Sequence, residues 1–268
     1  MRQFDAGAEA GRFLAAIAPI AEAAGREILR HYHPGIEARL KHDRTPVTAA
    51  DEAAEAIILP ALRELAPDIP SVAEEAVAQG GLPEIDRQSL FFLVDPLDGT
   101  REFLAGNGEF TVNIALIDRG RPLLGVVHLP ALGTTYAGGP EGATLAVAGA
   151  APEEIRARPK PSDGVIVLAS RSHNEGSELD RYLADLHVAE RIAAGSSLKF
   201  CRIAEGLADL YPRFGRTMEW DTAAGHAVLA AAGGQVVTVA GEALSYGKPG
   251  FANPNFIARG CWSEAPAR

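Results

Sequence analysis

Cysteine is scarce, with only Cys201 and Cys261 in a chain of 268 residues. Two thiols are too few for a disulfide framework, and such sparing use suits a reducing cytoplasm. Cys201 falls within an amphipathic helical pattern, where a plain buried thiol is the expectation. Basic residues are also in deficit: 25 Lys and Arg stand against 35 Asp and Glu, a net charge of −10. The chain therefore offers no basic surface for nucleic acid or an anionic membrane, and an anionic substrate would need metal ions locally. Long apolar runs are missing too. Residues 13 to 24 come nearest, but Pro19 and Glu22 break them, and the first eleven residues carry Asp5 and Glu9 without a cationic stretch. Neither a signal peptide nor a spanning helix is expected. Internal repeats and low-complexity tracts are absent.

What is present is apolar content of 47%, enough at this length to bury a large core in one big or two moderate domains. The most informative stretch is Phe91-Phe-Leu-Val-Asp-Pro-Leu-Asp-Gly-Thr100, an apolar run that stops on two aspartates, a proline and a glycine. Four large apolar residues in a row fit a strand covered on both faces, and Pro96 has no N–H for a ladder, so the strand is expected to end near Asp95. Gly99 then permits a turn. Asp95 and Asp98 at such a corner would raise each other's pKa unless a cation lay between them. Two carboxylates plus a turn carbonyl such as that of Leu97 are hard oxygen donors, suited to Mg²⁺ or Mn²⁺ rather than zinc. A capped loop with an ordinary Asp-Gly turn explains the same residues without a metal. The haloacid-dehalogenase phosphatases share an apolar strand ending in aspartates, but their two acids are one residue apart and tend to open the chain.

The remaining elements follow from periodicity. Apolar residues at helical spacing predict a long helix over Ala6 to Tyr32, with Pro19 as a place for a kink. His31, His33 and His42 lack ligand spacing and read as surface or loop residues. Thr48 with Asp51 three residues on forms a capping-box pattern, so helix capping competes with a base or metal-shell role for Asp51. Ile69 to Ala73 approaches Glu74-Glu75, a pair that by itself reads as a solvated helix start. Glu109 to Ile117, Leu123 to Leu129, Thr134 to Ala137 and Ala143 to Val147 predict antiparallel strands. The Pro-, Gly- and Ala-rich residues 131 to 161 mark a domain boundary.

The second half alternates: strand Val165 to Ala169, helix Ser177 to Leu186, a short segment near Ile192, helix Ser197 to Leu207, strand Asp209 to Tyr211 and helix Thr222 to Ala232. Ser170-Arg-Ser-His173 lies at a strand end, where open α/β sheets bind ligands. Gly195-Ser-Ser-Leu-Lys199 opens a helix, which favours phosphate, although Ser196 or Ser197 serves equally as a plain N-cap. Asp221, in Trp220-Asp-Thr-Ala-Ala-Gly225, reads alone as an N-cap.

Together, Asp95-Pro-Leu-Asp-Gly-Thr100 and Trp220-Asp-Thr-Ala-Ala-Gly225 resemble the inositol monophosphatase superfamily of lithium-sensitive, magnesium-dependent phosphomonoesterases. Arg101-Glu-Phe103, residues 108 to 117, Ser170-Arg-Ser-His173, Gly195 to Cys201 and Leu210-Tyr-Pro-Arg-Phe214 are similar to its bacterial 3'(2'),5'-bisphosphate nucleotidase branch, the CysQ type. The resemblance covers about residues 10 to 260. It implies a layered αβαβα fold of the α/β class, with an α+β N-terminal domain (1–155) holding an antiparallel sheet and the metal site. An α/β domain (156–268) would complete the substrate site.

The same resemblance implies that Glu74, Asp95, Asp98, the Leu97 carbonyl and Asp221 hold two or three Mg²⁺ ions. Mn²⁺ would be a possible substitute and Li⁺ an inhibitor. It also implies that Asp51 and Thr100, with Glu74, activate the attacking water. Asp98, Gly99, Thr100, His173, Ser196, Lys199, Arg213 and Asp221 would contact the substrate, adenosine 3',5'-bisphosphate, which is hydrolysed to AMP. A solvated helix face or an ion pair is the plainer account of Lys199 and Arg213. The implied location is cytoplasmic, with peripheral association with the inner membrane left open, as is the oligomeric state. Three departures stand out: Arg101 where lysine is usual, Ala73 where serine is frequent, and Arg216 where proline is common. They bear on substrate preference, because arginine and lysine hold phosphate differently. Inositol-1-phosphate or fructose-1,6-bisphosphate hydrolysis, and a non-catalytic metal- or nucleotide-binding relative, are the alternatives.

Overall fold

A computed structural model describes residues 6–33, 35–36, 38–40, 46–81, 84–148, 150–171 and 176–262. Helix α1 (Ala6–Arg30) runs unbroken through Pro19. A small hairpin of β1 (Arg39–Leu40) and β2 (Pro46–Val47) leads to α2 (Ala49–Leu65). Thr48 starts α2 through the predicted capping box: its hydroxyl accepts from Ala50 N–H, and Asp51 accepts from the Thr48 backbone.

The first sheet has seven strands in sequence order: β3 (Ser71–Ala73), β4 (Leu90–Asp98), β5 (Thr111–Asp118), β6 (Arg121–Leu129), β7 (Thr134–Gly139), β8 (Gly142–Val147) and β9 (Glu153–Ile155). Only β3 and β4 pair in parallel; every later pair is antiparallel. The short helices α3 (Glu74–Ala78) and α4 (Thr100–Leu104) follow β3 and β4 directly.

Strand β4 alternates as a strand buried on both faces must. Phe91 and Leu93 enter one apolar core and Phe92 and Val94 another. It does not stop at Asp95 as its sequence suggested, but continues to Asp98. The ladder to β5 pairs Asp95 with Asn113 and Asp98 with Thr111, with a register shift between them. Three steps on β4 thus match two on β5, and the extra residue is a bulge that absorbs Pro96, which has no N–H to give. Residues three apart on a regular strand face opposite ways; the bulge brings both aspartates to one face.

The second sheet runs β11-β10-β12-β14-β13. Its strands are β10 (Val165–Ser170), β11 (Val188–Ala194), β12 (Leu210–Arg213), β13 (Gln235–Thr238) and β14 (Phe256–Arg259), joined by α5 (Gly176–Leu183), α6 (Leu198–Ala204) and α7 (Ala223–Ala231). The segment near Ile192 is a full edge strand. Strands β13 and β14, which the sequence did not announce, turn an α/β start into a mixed sheet.

Three apolar cores separate five layers. One lies between α1 and α2 and the first sheet, the second between the two sheets around α6 and α7, and the third between the second sheet and α5. The expected αβαβα order is therefore present. Helix α7 sits close on the first sheet because Gly138 has no side chain: a Cβ there would stand 2.5 Å from Val228 Cα. Cys201 is fully buried in the middle core, as expected of a structural thiol.

Candidate active site

Parallel pairing of β3 with β4 places Ala73 beside Val94, so the chain beyond β3 delivers Glu74 next to Asp95. Asp221 arrives from the second half, in the segment before α7. One carboxylate oxygen from each of Glu74, Asp95 and Asp221 lies within 4.8 Å of the other two. Asp95 Oδ1 accepts the Leu97 N–H at 3.0 Å, which fixes the turn that Pro96 begins. Asp221 is not the N-cap of α7; that position belongs to Thr222, while Asp221 Oδ2 accepts the Met218 N–H at 2.8 Å. Glu74 and Glu75 are not a solvated pair either, since Glu75 is buried and its N–H donates to Glu55 Oε2 at 3.0 Å.

Asp98 is not one of that trio but faces it. Its Oδ2 accepts from the Ser197 N–H (2.7 Å), Asn113 Nδ2 (3.3 Å) and Thr111 Oγ1 (3.4 Å). Ser197 also donates its hydroxyl to the Asp221 carbonyl at 2.7 Å and accepts from Asn113 Nδ2 at 3.0 Å. One serine therefore ties together the two acid motifs, which lie more than a hundred residues apart. Burial pushes the Asp98 carboxyl up; Lys199 opposes that and Glu102 adds to it. Burial, then the charges of Asp98 and Glu74, push Asp221 well above the usual carboxylate range. Carboxylates forced up by burial and mutual repulsion are what a divalent cation relieves, and an all-oxygen donor set suits a hard ion. The residues fit a metal.

Beside them, Asp51 divides its two oxygens. Oδ2 accepts from Thr48 N–H (2.8 Å) and Thr48 Oγ1 (2.7 Å), while Oδ1 accepts from Thr100 Oγ1 at 3.3 Å. One carboxylate thus closes the capping box of α2 and also bonds the hydroxyl of Thr100 in the 95–100 motif. Gly99 supplies the left-handed turn (φ 91°) that carries Thr100 into this position.

Glu74, Asp95, Asp98, Gly99, Thr100 and Asp221 line a cleft of about 670 Å³, together with Ser196 and five cationic residues: Arg39, Arg101, Lys199, Arg213 and Arg216. The negative net charge had not suggested cations gathered in one place. Lys199 is not on a solvated face. It is 4% exposed, and its Nζ donates to the carbonyls of Ala194 (3.2 Å) and Ser196 (2.6 Å). Arg213 is 3% exposed and donates to the Arg216 carbonyl at 3.1 Å. Ser196 stands at φ 40°, left-handed and uncommon for a serine. His173 lies outside the described residues, as does His42.

Sequence reasoning read Ser197 as no more than a possible N-cap and passed over Asn113 and Glu219. Glu219 is fully buried, and its carboxylate accepts from Gly247 N–H (2.6 Å), Lys248 N–H (2.9 Å) and Lys248 Nζ (2.6 Å), anchoring the segment that bears Asp221. Its one signal was a glutamate two residues before Asp221 in an otherwise apolar motif. A larger depression, of about 1030 Å³, lies by the β5–β6 turn and the end of α7. It holds none of these acids, and its Arg119 and Arg156 are paired with Asp118 and Glu154.

The chain is 45% identical to the 3'(2'),5'-bisphosphate nucleotidase CysQ of Escherichia coli O157:H7, over 90% of its own length and 96% of that protein's. The crystal structure of CysQ from Bacteroides thetaiotaomicron superposes with a TM-score of 0.77 at 36% identity, covering 94% of this chain and 98% of that one. An inositol monophosphatase from Anabaena shares the fold, with a TM-score of 0.76 at 24% identity. Residues 11–265, which include every layer and every acid of the cleft, match the Inositol monophosphatase family, and the chain belongs to it.

Proposed function

We propose that the chain is a magnesium-dependent phosphomonoesterase that removes the 3'-phosphate of adenosine 3',5'-bisphosphate, giving AMP and inorganic phosphate. Supporting this reading is the meeting of Glu74, Asp95 and Asp221 within 4.8 Å beside the Asp51–Thr100 pair, in a chain 45% identical to a 3'(2'),5'-bisphosphate nucleotidase. Glu74, Asp95, the Leu97 carbonyl, Asp98 and Asp221 are the groups assigned to two or three Mg²⁺ ions, with Mn²⁺ as a substitute and Li⁺ as an inhibitor. When bound, the ions lower the pKa of the attacking water and stabilise charge on the transferred phosphoryl group and its leaving oxygen.

The protein's own groups do the rest. Thr100 Oγ1 accepts a proton from the attacking water as it passes its own to Asp51, whose other oxygen is held by Thr48. The water oxygen bonds to phosphorus while the bond to O3' breaks; O3' leaves as an alkoxide and takes a proton from solvent water in the open cleft, and Asp51 returns the proton it received to solvent, so the step balances. The N–H groups of Gly99 and Thr100 are assigned to the phosphate oxygens. Ser196, Lys199, Arg213 and His173 are assigned to the nucleotide, between an N-terminal unit of residues 1–155 and a C-terminal unit of 156–268. Positioning contributes roughly 7–11 kcal/mol. Phosphate-monoester hydrolysis needs enhancements up to ~10²¹, so charge stabilisation must supply much of the remainder.

Phosphate release from adenosine 3',5'-bisphosphate, inositol-1-phosphate and fructose-1,6-bisphosphate tests this, each with Mg²⁺, with Mg²⁺ plus Li⁺, and with EDTA. A metal-dependent, lithium-inhibited preference for the nucleotide is expected. Preference for either sugar ester would remove the nucleotide assignments, and turnover that survives EDTA would sink the mechanism.

A further inference from the structure

The turn from Gly195 to Ser197, between β11 and α6, carries none of the assigned metal ligands, yet it touches both motifs that do. Ser197 gives its N–H to Asp98 Oδ2 at 2.7 Å and its hydroxyl to the Asp221 carbonyl at 2.7 Å. Ser196 holds the left-handed conformation at φ 40°. A non-glycine residue keeps such a conformation only where its surroundings impose it. Lys199 holds the turn from one side, through the carbonyls of Ala194 and Ser196. An ion pair to which the hydrolysis gives no task holds it from the other.

That pair is Glu109 and Arg171. Arg171 follows β10 directly; its Nη2 donates to Glu109 Oε1 (2.9 Å) and Oε2 (3.0 Å), and its Nε to Oε2 (3.2 Å). The same Nη2 donates to the Ala193 carbonyl at 2.8 Å, and Glu109 Oε2 accepts the Gly195 N–H at 2.8 Å. Glu109 stands two residues before β5 of the first sheet, whereas Arg171 stands one residue past β10 of the second. The pair bridges the two sheets and grips the turn that reaches both acid motifs. Its side chains are 24% and 45% exposed, so its direct contribution to stability is small. A fork of fixed geometry is well suited to setting the place of a turn.

We infer that Glu109 and Arg171 are positioning residues that clamp the Gly195–Ser197 turn, so that the Ser197 N–H fixes Asp98 Oδ2 and leaves Oδ1 for a cation. The inference rests on the reading of Asp98 as part of the cation site. The clamp acts in sequence: Arg171 orients Glu109, Glu109 sets Gly195, and Ser197 sets Asp98. Outer groups of this kind, when removed, typically cost ten- to a hundredfold in metal affinity or activity.

The test uses the full chain with Glu109→Ala, Glu109→Gln, Arg171→Ala and the exchange Glu109→Arg with Arg171→Glu. Mn²⁺ binding to the metal-free protein is followed by titration calorimetry, alongside kcat, KM and the metal-free melting temperature. Glu109→Ala is expected to weaken Mn²⁺ binding and lower kcat by about ten- to a hundredfold, with KM and melting temperature near the parent's. Glu109→Gln should show an intermediate loss, because an amide oxygen still accepts the Gly195 N–H. The exchange should not recover, because it sets an arginine donor against that N–H. Parental Mn²⁺ binding in Glu109→Ala, recovery by the exchange, or a fall in melting temperature matching both losses would each overturn the clamp. If Glu109→Ala does not fold, Arg171→Ala decides, with a smaller loss expected and none overturning the inference. Weakened Mn²⁺ binding in a chain that hydrolyses none of the three phosphate esters would keep the clamp and discard the phosphatase reading.

Discussion

Thr100 Oγ1 donates to Asp51 Oδ1 across 3.3 Å, joining the start of α4 to the start of α2, 49 residues earlier in the chain. The same aspartate closes the capping box of α2 through its other oxygen. A helix start and the pair proposed to activate the water therefore share one side chain, and substitutions can separate the two roles.

Thr100→Ala removes the hydroxyl and leaves the cap untouched. It should lower kcat by roughly 10²–10⁴-fold, the usual worth of a positioned proton acceptor, with an unchanged melting temperature. Asp51→Ala should lose as much activity and also cost about 0.5–2 kcal/mol of stability through the lost cap. Thr100→Ser, which keeps the hydroxyl, should recover most of the rate. Steady-state kinetics paired with thermal melting checks all three, and a Thr100→Ala rate near the parent's would remove Thr100 from the proton path.

The capping box of α2 and the buried run of β4 were both legible in the sequence, because each is written in neighbouring residues; the end of β4, expected near Asp95, was not, since the strand continues to Asp98. The bulge that turns Asp95 and Asp98 to one face was not, because register belongs to a pair of strands and β5 comes later in the chain. Ser197 reads locally as an N-cap, yet its hydroxyl goes to the Asp221 carbonyl; a tertiary acceptor overrode the local one. Strand β11 hid because it is an edge strand whose centre, Ala189 to Ile192, is exposed, so it lacks an apolar stripe. Strands β13 and β14 are four residues each, too short for a period to declare itself.

Asp221→Asn tests the proposed cation site without relying on turnover. Burial, then the charges of Asp98 and Glu74, already push the Asp221 carboxyl up, so a neutral amide should leave the metal-free protein no less stable than the parent. Mg²⁺ at a hundred times its dissociation constant stabilises a binding protein by about 2.7 kcal/mol, or roughly 5–10 °C at 2–4 °C per kcal/mol. The variant should show less than half of that rise in scanning calorimetry. An equal rise would exclude Asp221 as a ligand.

Gly138→Ala probes the seat of α7. The new Cβ would stand 2.5 Å from Val228 Cα and 2.9 Å from the Ala227 carbonyl oxygen, both backbone atoms that cannot rotate away. The helix must shift, at the cost of about 1–3 kcal/mol typical of overpacking. Because α7 begins just after Asp221, activity should fall together with the melting temperature. Parental values of both would mean that the helix does not depend on this contact.

His128 sets a limit on stability in acid. Its ring lies under α1, with Nδ1 2.9 Å from Thr135 Oγ1, and burial lowers its pKa to about 4, against the opposing pull of Glu22. The unfolded chain protonates this ring near pH 6.5, whereas the folded chain resists until about pH 4. Its contribution is therefore fully present above pH 6.5 and is lost as pH falls from there towards 4, at about 1.4 kcal/mol per unit. Denaturant unfolding of the parent and of His128→Gln at pH 7 and pH 5 isolates the effect, because other titrating groups cancel in the difference. The parent should lose about 2 kcal/mol more than the variant over that interval. His226, also lowered to about 4 by burial, should add a loss of the same sign that both proteins share. Equal losses in the two proteins would mean that the His128 ring takes up its proton as readily in the folded state as in the unfolded one.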